Sequence, residues 1–462
     1  MSLMVSISGV RGIVGESLTP EVVVRYSAAF GEYVRRRSQG APRVVLGWDG
    51  RKTGYPLSRI ISSTLQCSGI DVVDIGIAPT PTIQLAVERE HAAAGIAVTA
   101  SHNPMQWNGM KFIAATGMFL DPDENRILWD IVAQEPRYVR WDRIGRRSVD
   151  NSWIDRHINA VLEHPYLDVS KVRARRFRVV LDCVNACGGR IMPSLLQQLG
   201  CEIIEMNCEV GGVFAHTPEP IPENLTDLAD RVRREKADLG IAVDPDGDRL
   251  VLITELGEPY SEEYTIASAV HFVLGREAKR NPGVPQNVVV NLSTTRAVDD
   301  IARAFGAMVV RTPVGEINVA KKMKEIGSVI GGEGSGGVIL PSVHLGRDAI
   351  VGTGLILQLL AEFGGRLSGL KATLPGYAIA KGKLELKGVT PEVVLGRIQD
   401  AHRGDGILTT TDGVKIDFPD RWVHLRKSNT EPIVRIIAEA HTSGEAQATV
   451  EHYRQEILSL TP

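Results

Sequence analysis

An apolar strand, an amphipathic helix, a second strand, a second helix and a third strand recur three times along this chain. The first pass runs from RVVLGWDGR (43–51) through a helical stretch to Leu65, DVVDIGIAP, the helical IQLAVERE and GIAVTASHNP. The second runs through FRVVLDCVNACGG, GRIMPSLLQQLG, CEIIEMN, LTDLADRVRREK and ADLGIAVDPDGDR. The third runs from NVVVNLS through AMVVRTP to SVIGGEGSGG, with helices near TTRAVDDIARAFG and INVAKKMKEIG. Such alternation predicts parallel sheets covered on both faces, and its repetition suggests three α/β domains of one ancestry. In open α/β sheets ligands sit beyond the carboxyl ends of the strands. The polar segments that follow each third strand, TASHNP (99–104), DPDGDR (244–249) and GEGSGG (332–337), are therefore the expected site segments. Three domains facing one cleft would bring them together. From about Leu370 the order changes to a β/α mixture, read as a smaller α+β domain after a linker near FGGRLSG (363–369). The expected domains are 4–150, 151–257, 258–368 and 369–462.

Charge and composition remove several classes of function. Lys plus Arg is 52 and Asp plus Glu is 55, a net charge of −3, so no basic excess draws the chain to nucleic acid or to an anionic membrane. No apolar run approaches the ~18 residues that span a bilayer, and MSLMVSISGVRG lacks the basic start and apolar core of a secretory signal. The five cysteines are odd in number and lack C-x2-C spacing, which argues against zinc and for a reducing compartment. Cytoplasm is the expected location, with Cys183, Cys187, Cys201 and Cys208 as buried thiols.

DPDGDR sets Asp244, Asp246 and Asp248 at alternate positions around a glycine. Carboxylates this close repel one another without a counter-ion, and a loop of this spacing can wrap a hard divalent cation, Mg2+ being the default where phosphate is handled. An EF-hand fits worse, because Arg249 stands where that loop needs glycine. In TASHNP, Ser101 is a nucleophile or phosphoryl acceptor. If the segment is extended, His102 points to the opposite face and is poorly placed to activate it, which argues against a Ser–His hydrolase. A phosphorylated Ser101 held against the metal accounts for both loops. RKSNTEPIVR (426–435) gathers Arg426, Ser428, Asn429, Thr430 and Arg435, a set suited to a phosphate dianion. Glu333 and Ser335 among the glycines of GEGSGG can grip a polyol. Arg11 in SGVRG and Lys111 after Asn108-Gly109 complete the candidates. Taken singly, each of these segments can also be read as an ordinary polar turn or a surface charge.

Together these segments resemble the α-D-phosphohexomutase superfamily over essentially the whole chain, in order and spacing. TASHNP looks like its phosphoserine loop, DPDGDR its metal loop, GEGSGG its sugar loop and RKSNTEPIVR its phosphate loop. The resemblance implies three related α/β domains with mixed sheets and a smaller C-terminal α+β domain around a central cleft. It implies a phosphohexomutase that interconverts hexose 6- and 1-phosphates through phosphorylated Ser101 and a bound hexose 1,6-bisphosphate, which also serves as activator. It places one Mg2+ on Ser101, Asp244, Asp246 and Asp248. Arg11, Lys111, His102 and Arg249 fall near the reacting groups, Glu333 and Ser335 at the sugar hydroxyls, and Arg426, Ser428, Asn429, Thr430 and Arg435 at the phosphate that is not transferred. The expected partner is a phosphorylated hexose, with no nucleic acid and no membrane, for a monomer or homodimer. Glucosamine phosphate is narrowly favoured over mannose and glucose phosphates. The chain departs from the family pattern at Gly337, where a histidine is common, and at Pro313, where a lysine is common; His344 and Arg311 are the candidate substitutes. A phosphatase-like hydrolase and a non-catalytic sugar-phosphate sensor are the rival classes.

Overall fold

The computed structural model describes residues 3–386, 389–427 and 433–460. The chain forms two compact units, one made of the residues up to Thr265 together with Gly336–Lys371, the other of Ile266–Ser335 and the residues from Ala372 onward.

In the first unit, strands Met4–Ser6 (β1), Gly9–Ile13 (β2), Arg43–Trp48 (β3), Asp71–Ile77 (β4), Ala94–Val98 (β5), Trp107–Ala114 (β6) and Arg147–Val149 (β7) form one sheet in the order β1-β2-β6-β5-β3-β4-β7. Its centre is parallel, β3 lying between β4 and β5. Alternation along β3 sends Val44 and Leu46 into a core with Phe30, Ile61, Leu65 and Phe112. Val45 faces the other way, into a core with Ile83, Ala97, Ile113 and Trp153. Both faces are thus covered, as short unbroken apolar strands require. A second sheet, from Arg178–Asp182 (β8), Glu202–Met206 (β9), Leu239–Val243 (β10) and Leu250–Thr254 (β11), has the order β11-β10-β8-β9. The purely parallel reading is corrected in both: β6 runs antiparallel to β5, and β11 to β10. The reversal follows from the connection, since a short polar loop can only return a strand beside its neighbour in the opposite sense. The sheets are mixed, as the family resemblance implies.

In the second unit, Asn287–Asn291 (β12) pairs in parallel with Met308–Thr312 (β13) and Ile330–Glu333 (β14). The C-terminal part carries an antiparallel sheet of Ala378–Glu385 (β15), Ile407–Thr409 (β16), Val414–Asp417 (β17), Trp422–Lys427 (β18) and Ile433–Ala440 (β19). The helices Pro391–Ala401 and Ser443–Leu460 bury Val394, Ile398, Val450 and Ile457 against it. The expected class, three α/β sheets and a smaller α+β region, is the fold observed.

Each polar segment lies where strand polarity puts it. TASHNP follows β5, DPDGDR follows β10, and Glu333 is the last residue of β14. The helix Ala349–Phe363 belongs to the first unit; Asp348 caps it by accepting hydrogen bonds from the amides of Ile350 and Val351 at 2.8 and 3.1 Å. Of the cysteines, Cys183 and Cys187 are buried, whereas Cys201 and Cys208 are only half-buried, a correction to the expectation for that group.

Candidate active site

At the end of β5 the backbone turns sharply, and Ser101 adopts φ +50°, the left-handed region that a side chain with a β-carbon enters at a cost of roughly 1 kcal/mol. The strained turn is held from several sides. Thr99 Oγ1 accepts the Ser101 amide at 2.8 Å and donates to Asp49 Oδ2 at 2.6 Å. Arg51, buried, pairs with Asp49 at 2.9 Å and donates to the carbonyls of Ser101, Asn103, Pro104 and Trp107 at 2.5, 2.8, 2.8 and 3.1 Å. With the segment turned rather than extended, His102 swings round to the serine. Its Nδ1 lies 3.3 Å from Ser101 Oγ, which corrects the expectation that the two side chains point apart.

Ser101 Oγ also donates to Asp244 Oδ2 at 3.3 Å. Asp244, Asp246 and Asp248 are fully buried, and one carboxylate oxygen from each lies within 4.8 Å of the others. Gly247 turns the loop at φ +68°. Lys111, on β6, reaches Asp246 Oδ2 at 2.6 Å and Asp248 Oδ2 at 3.4 Å. Thr80, the first residue of helix Thr80–Arg89, donates from its hydroxyl to Asp246 Oδ2 at 2.8 Å. Arg347 donates to Asp248 Oδ2 at 2.6 Å. Arg249 Nε is 3.8 Å from Asp248 Oδ1, and Arg11 bonds Asn103 Oδ1 at 3.2 Å.

Electrostatics divides these groups. Burial, then the charges of Asp248 and Asp246, push the Asp244 carboxyl well above its ordinary value. Burial pushes Asp246 the same way, but the Lys111 ammonium more than offsets it and the net shift is downward. Burial lowers Lys111, while Asp246 and Asp248 raise it further, so it keeps its proton. The Arg249 charge, with burial, drives His102 well below the usual histidine value, leaving the ring neutral. Asp246 Oδ1 and Asp248 Oδ1 are buried with no hydrogen-bond partner. An ionised oxygen left this way is costly, and a hard divalent cation is the ligand that three clustered carboxylates fit.

The sugar- and phosphate-loop candidates lie in the second unit. Glu333 is buried, and its Oε1 accepts from Asn291 Nδ2 at 2.8 Å and from the Gly315 amide at 2.9 Å. Ser335 closes the same loop, half-buried. Next along the chain from Gly315, the Val314 amide donates to Asp412 Oδ2 at 2.9 Å, and Arg426 Nε lies 3.3 Å from the same oxygen. Arg435, exposed, is the cross-strand neighbour of Arg426. Ser428, Asn429 and Thr430 lie outside the described residues.

Both proposed substitutes have protein partners of their own. His344 is locked at 2.9 Å onto Asp348. Arg311 is committed to the carbonyls of Asn291, Thr294 and Thr295 and to Asp299. The space that Gly337 leaves is filled by Arg347, whose Cδ would lie 2.3 Å from a β-carbon there. Sequence reasoning missed Arg347, Arg51 and Thr80. The signal for Arg51 was its place just beyond the end of a strand, in GWDGR; for Arg347 it was a charged pair, Arg347-Asp348, in an otherwise apolar stretch.

Comparison with known proteins gives the class. The four domains of the phosphoglucomutase/phosphomannomutase family match in order: α/β/α domain I over residues 4–138, domain II over 155–257, domain III over 263–377 and the C-terminal domain over 384–456. The chain belongs to this family and is a phosphohexomutase, an isomerase that acts as an intramolecular phosphotransferase. It is 37% identical to a probable phosphoglucosamine mutase of Methanopyrus kandleri, covering 95% of this chain and 94% of that one. It is 38% identical to a phosphoglucomutase/phosphomannomutase of Thermococcus kodakarensis, covering 96% of each. Among solved structures, a family protein from Burkholderia thailandensis superposes with a TM-score of 0.84 at 26% identity, covering 98% and 97% of the two chains. A putative phosphomannomutase from Thermus thermophilus gives 0.83 at 27% identity, covering 99% of each. No helix among the described residues is long and apolar enough to cross a membrane.

Proposed function

We propose that this phosphohexomutase interconverts the 6- and 1-phosphates of glucosamine through a phosphoryl group carried on Ser101, with a hexose 1,6-bisphosphate as the bound intermediate and activator. The observation that carries the reading is the Ser101 hydroxyl placed 3.3 Å from Asp244 at the edge of the buried triad. Around that triad stand Arg11, Lys111, Arg249 and Arg347, one cation more than there are aspartates. A divalent metal would enlarge that surplus, and a phosphate dianion would offset most of it. Mg2+ held by Asp244, Asp246, Asp248 and the phosphorylated Ser101 would act as a Lewis acid on the phosphoryl oxygens.

The chain's own groups account for the rest. As the P–Oγ bond of phosphorylated Ser101 breaks, the free hydroxyl of a bound hexose phosphate forms its bond to phosphorus. The proton that hydroxyl loses must end on the departing Ser101 oxygen. Neutral His102, 3.3 Å from that oxygen, can take it up at one ring nitrogen and deliver it from the other. Lys111 and Arg11 stabilise the charge spread over the transferring group. Glu333 and Ser335 bind sugar hydroxyls; Arg426, Ser428, Asn429, Thr430 and Arg435 bind the phosphate that stays. After the bisphosphate reverses end for end, its other phosphoryl returns to Ser101. The reaction needs no membrane or nucleic acid and suits the cytoplasm.

Glucosamine is preferred because Methanopyrus kandleri and Pyrococcus abyssi relatives carry the name probable phosphoglucosamine mutase. The Thermococcus kodakarensis relative, named phosphoglucomutase/phosphomannomutase, favours the second reading, a dual mannose/glucose enzyme. A coupled assay with Mg2+ and trace hexose 1,6-bisphosphate, run on glucosamine, mannose and glucose phosphates, decides between them. The highest kcat/KM on glucosamine phosphate supports the first; equal or higher values on the others establish the second.

A further inference from the structure

Behind the aspartate triad, in the same unit, lies a second cluster of titratable side chains that the reaction does not use. His157, on helix Trp153–Leu162, His344 and Asp348 are all buried. Asp348 Oδ2 accepts from His157 Nε2 at 2.8 Å and from His344 Nε2 at 2.9 Å, while its Oδ1 takes the two capping amides of Ile350 and Val351. Four donors fill the acceptor capacity of one ionised carboxylate. Each ring thus presents an Nε2 proton to Asp348, and His157 Nδ1 shares a hydrogen bond with the Thr82 hydroxyl at 2.8 Å. On the far side of the other ring, His344 Nδ1 is buried without a hydrogen-bond partner. An apolar side chain there would avoid that penalty of about 1–3 kcal/mol, so packing alone does not explain a histidine.

What the cluster joins explains it. The residues on either side of Asp348 both grip the metal loop: Arg347 holds Asp248 Oδ2 at 2.6 Å, and the Ala349 amide donates to the Gly247 carbonyl at 3.2 Å. Two residues before Thr82, Thr80 grips the loop from the other side, its amide on the Asp246 carbonyl and its hydroxyl on Asp246 Oδ2, both at 2.8 Å. His157 bonds Thr82 with one ring nitrogen and Asp348 with the other, and so cross-links the two grips.

We propose that the His157–Asp348–His344 network is a positioning device for the metal loop, fixing Asp246 through the Thr80 turn and Asp248 through Arg347 so that the carboxylates converge on a divalent cation. This rests on the reading of Asp244, Asp246 and Asp248 as metal ligands. Partners that orient metal ligands typically set affinity by 10–100-fold.

The test uses the full-length, metal-stripped enzyme, titrated calorimetrically with Mn2+ and assayed for its Mg2+ dependence. His157→Ala is expected to weaken Mn2+ binding about tenfold, with the KM for hexose phosphate changed less than about twofold. His157→Gln keeps an N–H for Asp348 and should recover most of the affinity. Thr82→Val, which removes only one hydrogen bond, should give a smaller loss and serves if His157→Ala does not fold. Leu355→Ala, in the buried helix that Asp348 caps, supplies a loss of Tm without touching the network and should leave Mn2+ affinity intact. Wild-type Mn2+ affinity in both His157→Ala and Thr82→Val overturns the proposal. Asp246→Asn separates the two readings. If it loses Mn2+ while the network variants keep it, only the positioning role falls; if it too binds as wild type, the metal loop itself has been misassigned. One equivalent of zinc in the purified enzyme, absent from His157→Ala, would make the network a structural metal site and overturn the proposal as well.

Discussion

Arg347 reaches Asp248 through space that exists only because residue 337 is glycine: its Cδ would stand 2.3 Å from a β-carbon placed there, and its guanidinium lies 2.6 Å from Asp248 Oδ2. Gly337 has no positive φ, so alanine strains no backbone and acts through the displaced arginine alone. Gly337→Ala should lower kcat about tenfold, the size of effect expected when one supporting contact to a metal ligand is lost, with KM for hexose phosphate little changed. Steady-state kinetics on the variant check this; unchanged kcat would remove Arg347 from the working site.

Ser101 carries two separable features, a hydroxyl and a strained backbone. Ser101→Ala removes the hydroxyl and keeps the β-carbon at φ +50°; turnover should fall by orders of magnitude while Tm stays within a degree or two. Ser101→Gly removes both and should be more stable by up to about 1 kcal/mol, since glycine enters that region freely. Tandem mass spectrometry of the wild type after incubation with hexose 1,6-bisphosphate should locate phosphate on Ser101 and on no other serine. Near-normal activity in Ser101→Ala would end the phosphoserine assignment.

The buried triad is crowded with like charge, so its response to metal removal is large in wild type and small in a charge-reduced variant. Asp244→Asn should leave the metal-free protein at least as stable as wild type, because it relieves repulsion from Asp246 and Asp248. Wild type should gain about 2.7 kcal/mol when Mg2+ is supplied at a hundred times its dissociation constant, and the variant should gain almost none. Thermal melts in EDTA and in Mg2+ measure both. Equal Mg2+ stabilisation in the two proteins would place the cation elsewhere.

What could be read in the sequence was local. DPDGDR and TASHNP announce themselves because their chemistry is packed into six residues at a strand end. The helix Ala349–Phe363 does not, because it is buried on every side through Leu360 and so shows no amphipathic period. The relation of Ser101 to His102 turns on a torsion angle that residue types alone do not reveal. The partners that hold the site together are remote: Arg51 acts on a loop about fifty positions away, Arg347 lies 99 positions from Asp248, and Asp348 lies 191 from His157. Such pairs exist only after the sheets have stacked their neighbours. Arg311 shows the converse, a residue of plausible type and place whose donors the fold spends on Asn291, Thr294, Thr295 and Asp299.

In the second unit, Lys415 is buried over the Trp422 ring at 5.0 Å and bonds Asp417 at 2.5 Å. Burial, reinforced by the Arg311 charge, pulls its ammonium down to about 8. Between that value and the ordinary lysine value near 10.5 the unfolded chain binds the extra proton, so stability attributable to this residue rises with pH through the window. Below pH 8 the buried charge is a penalty of about 3 kcal/mol, at 1.36 kcal/mol for each pH unit between the two values. Lys415→Met removes the penalty, and Asp417 still has Arg296 within 3.6 Å to balance it. The variant's advantage in unfolding free energy over wild type should therefore be largest near pH 7 and shrink by about 3 kcal/mol as pH is raised from 8 to 10.5. Denaturant unfolding of both proteins across that range measures it, and a difference that stays flat with pH would mean that Lys415 is ionised in the fold as readily as in water.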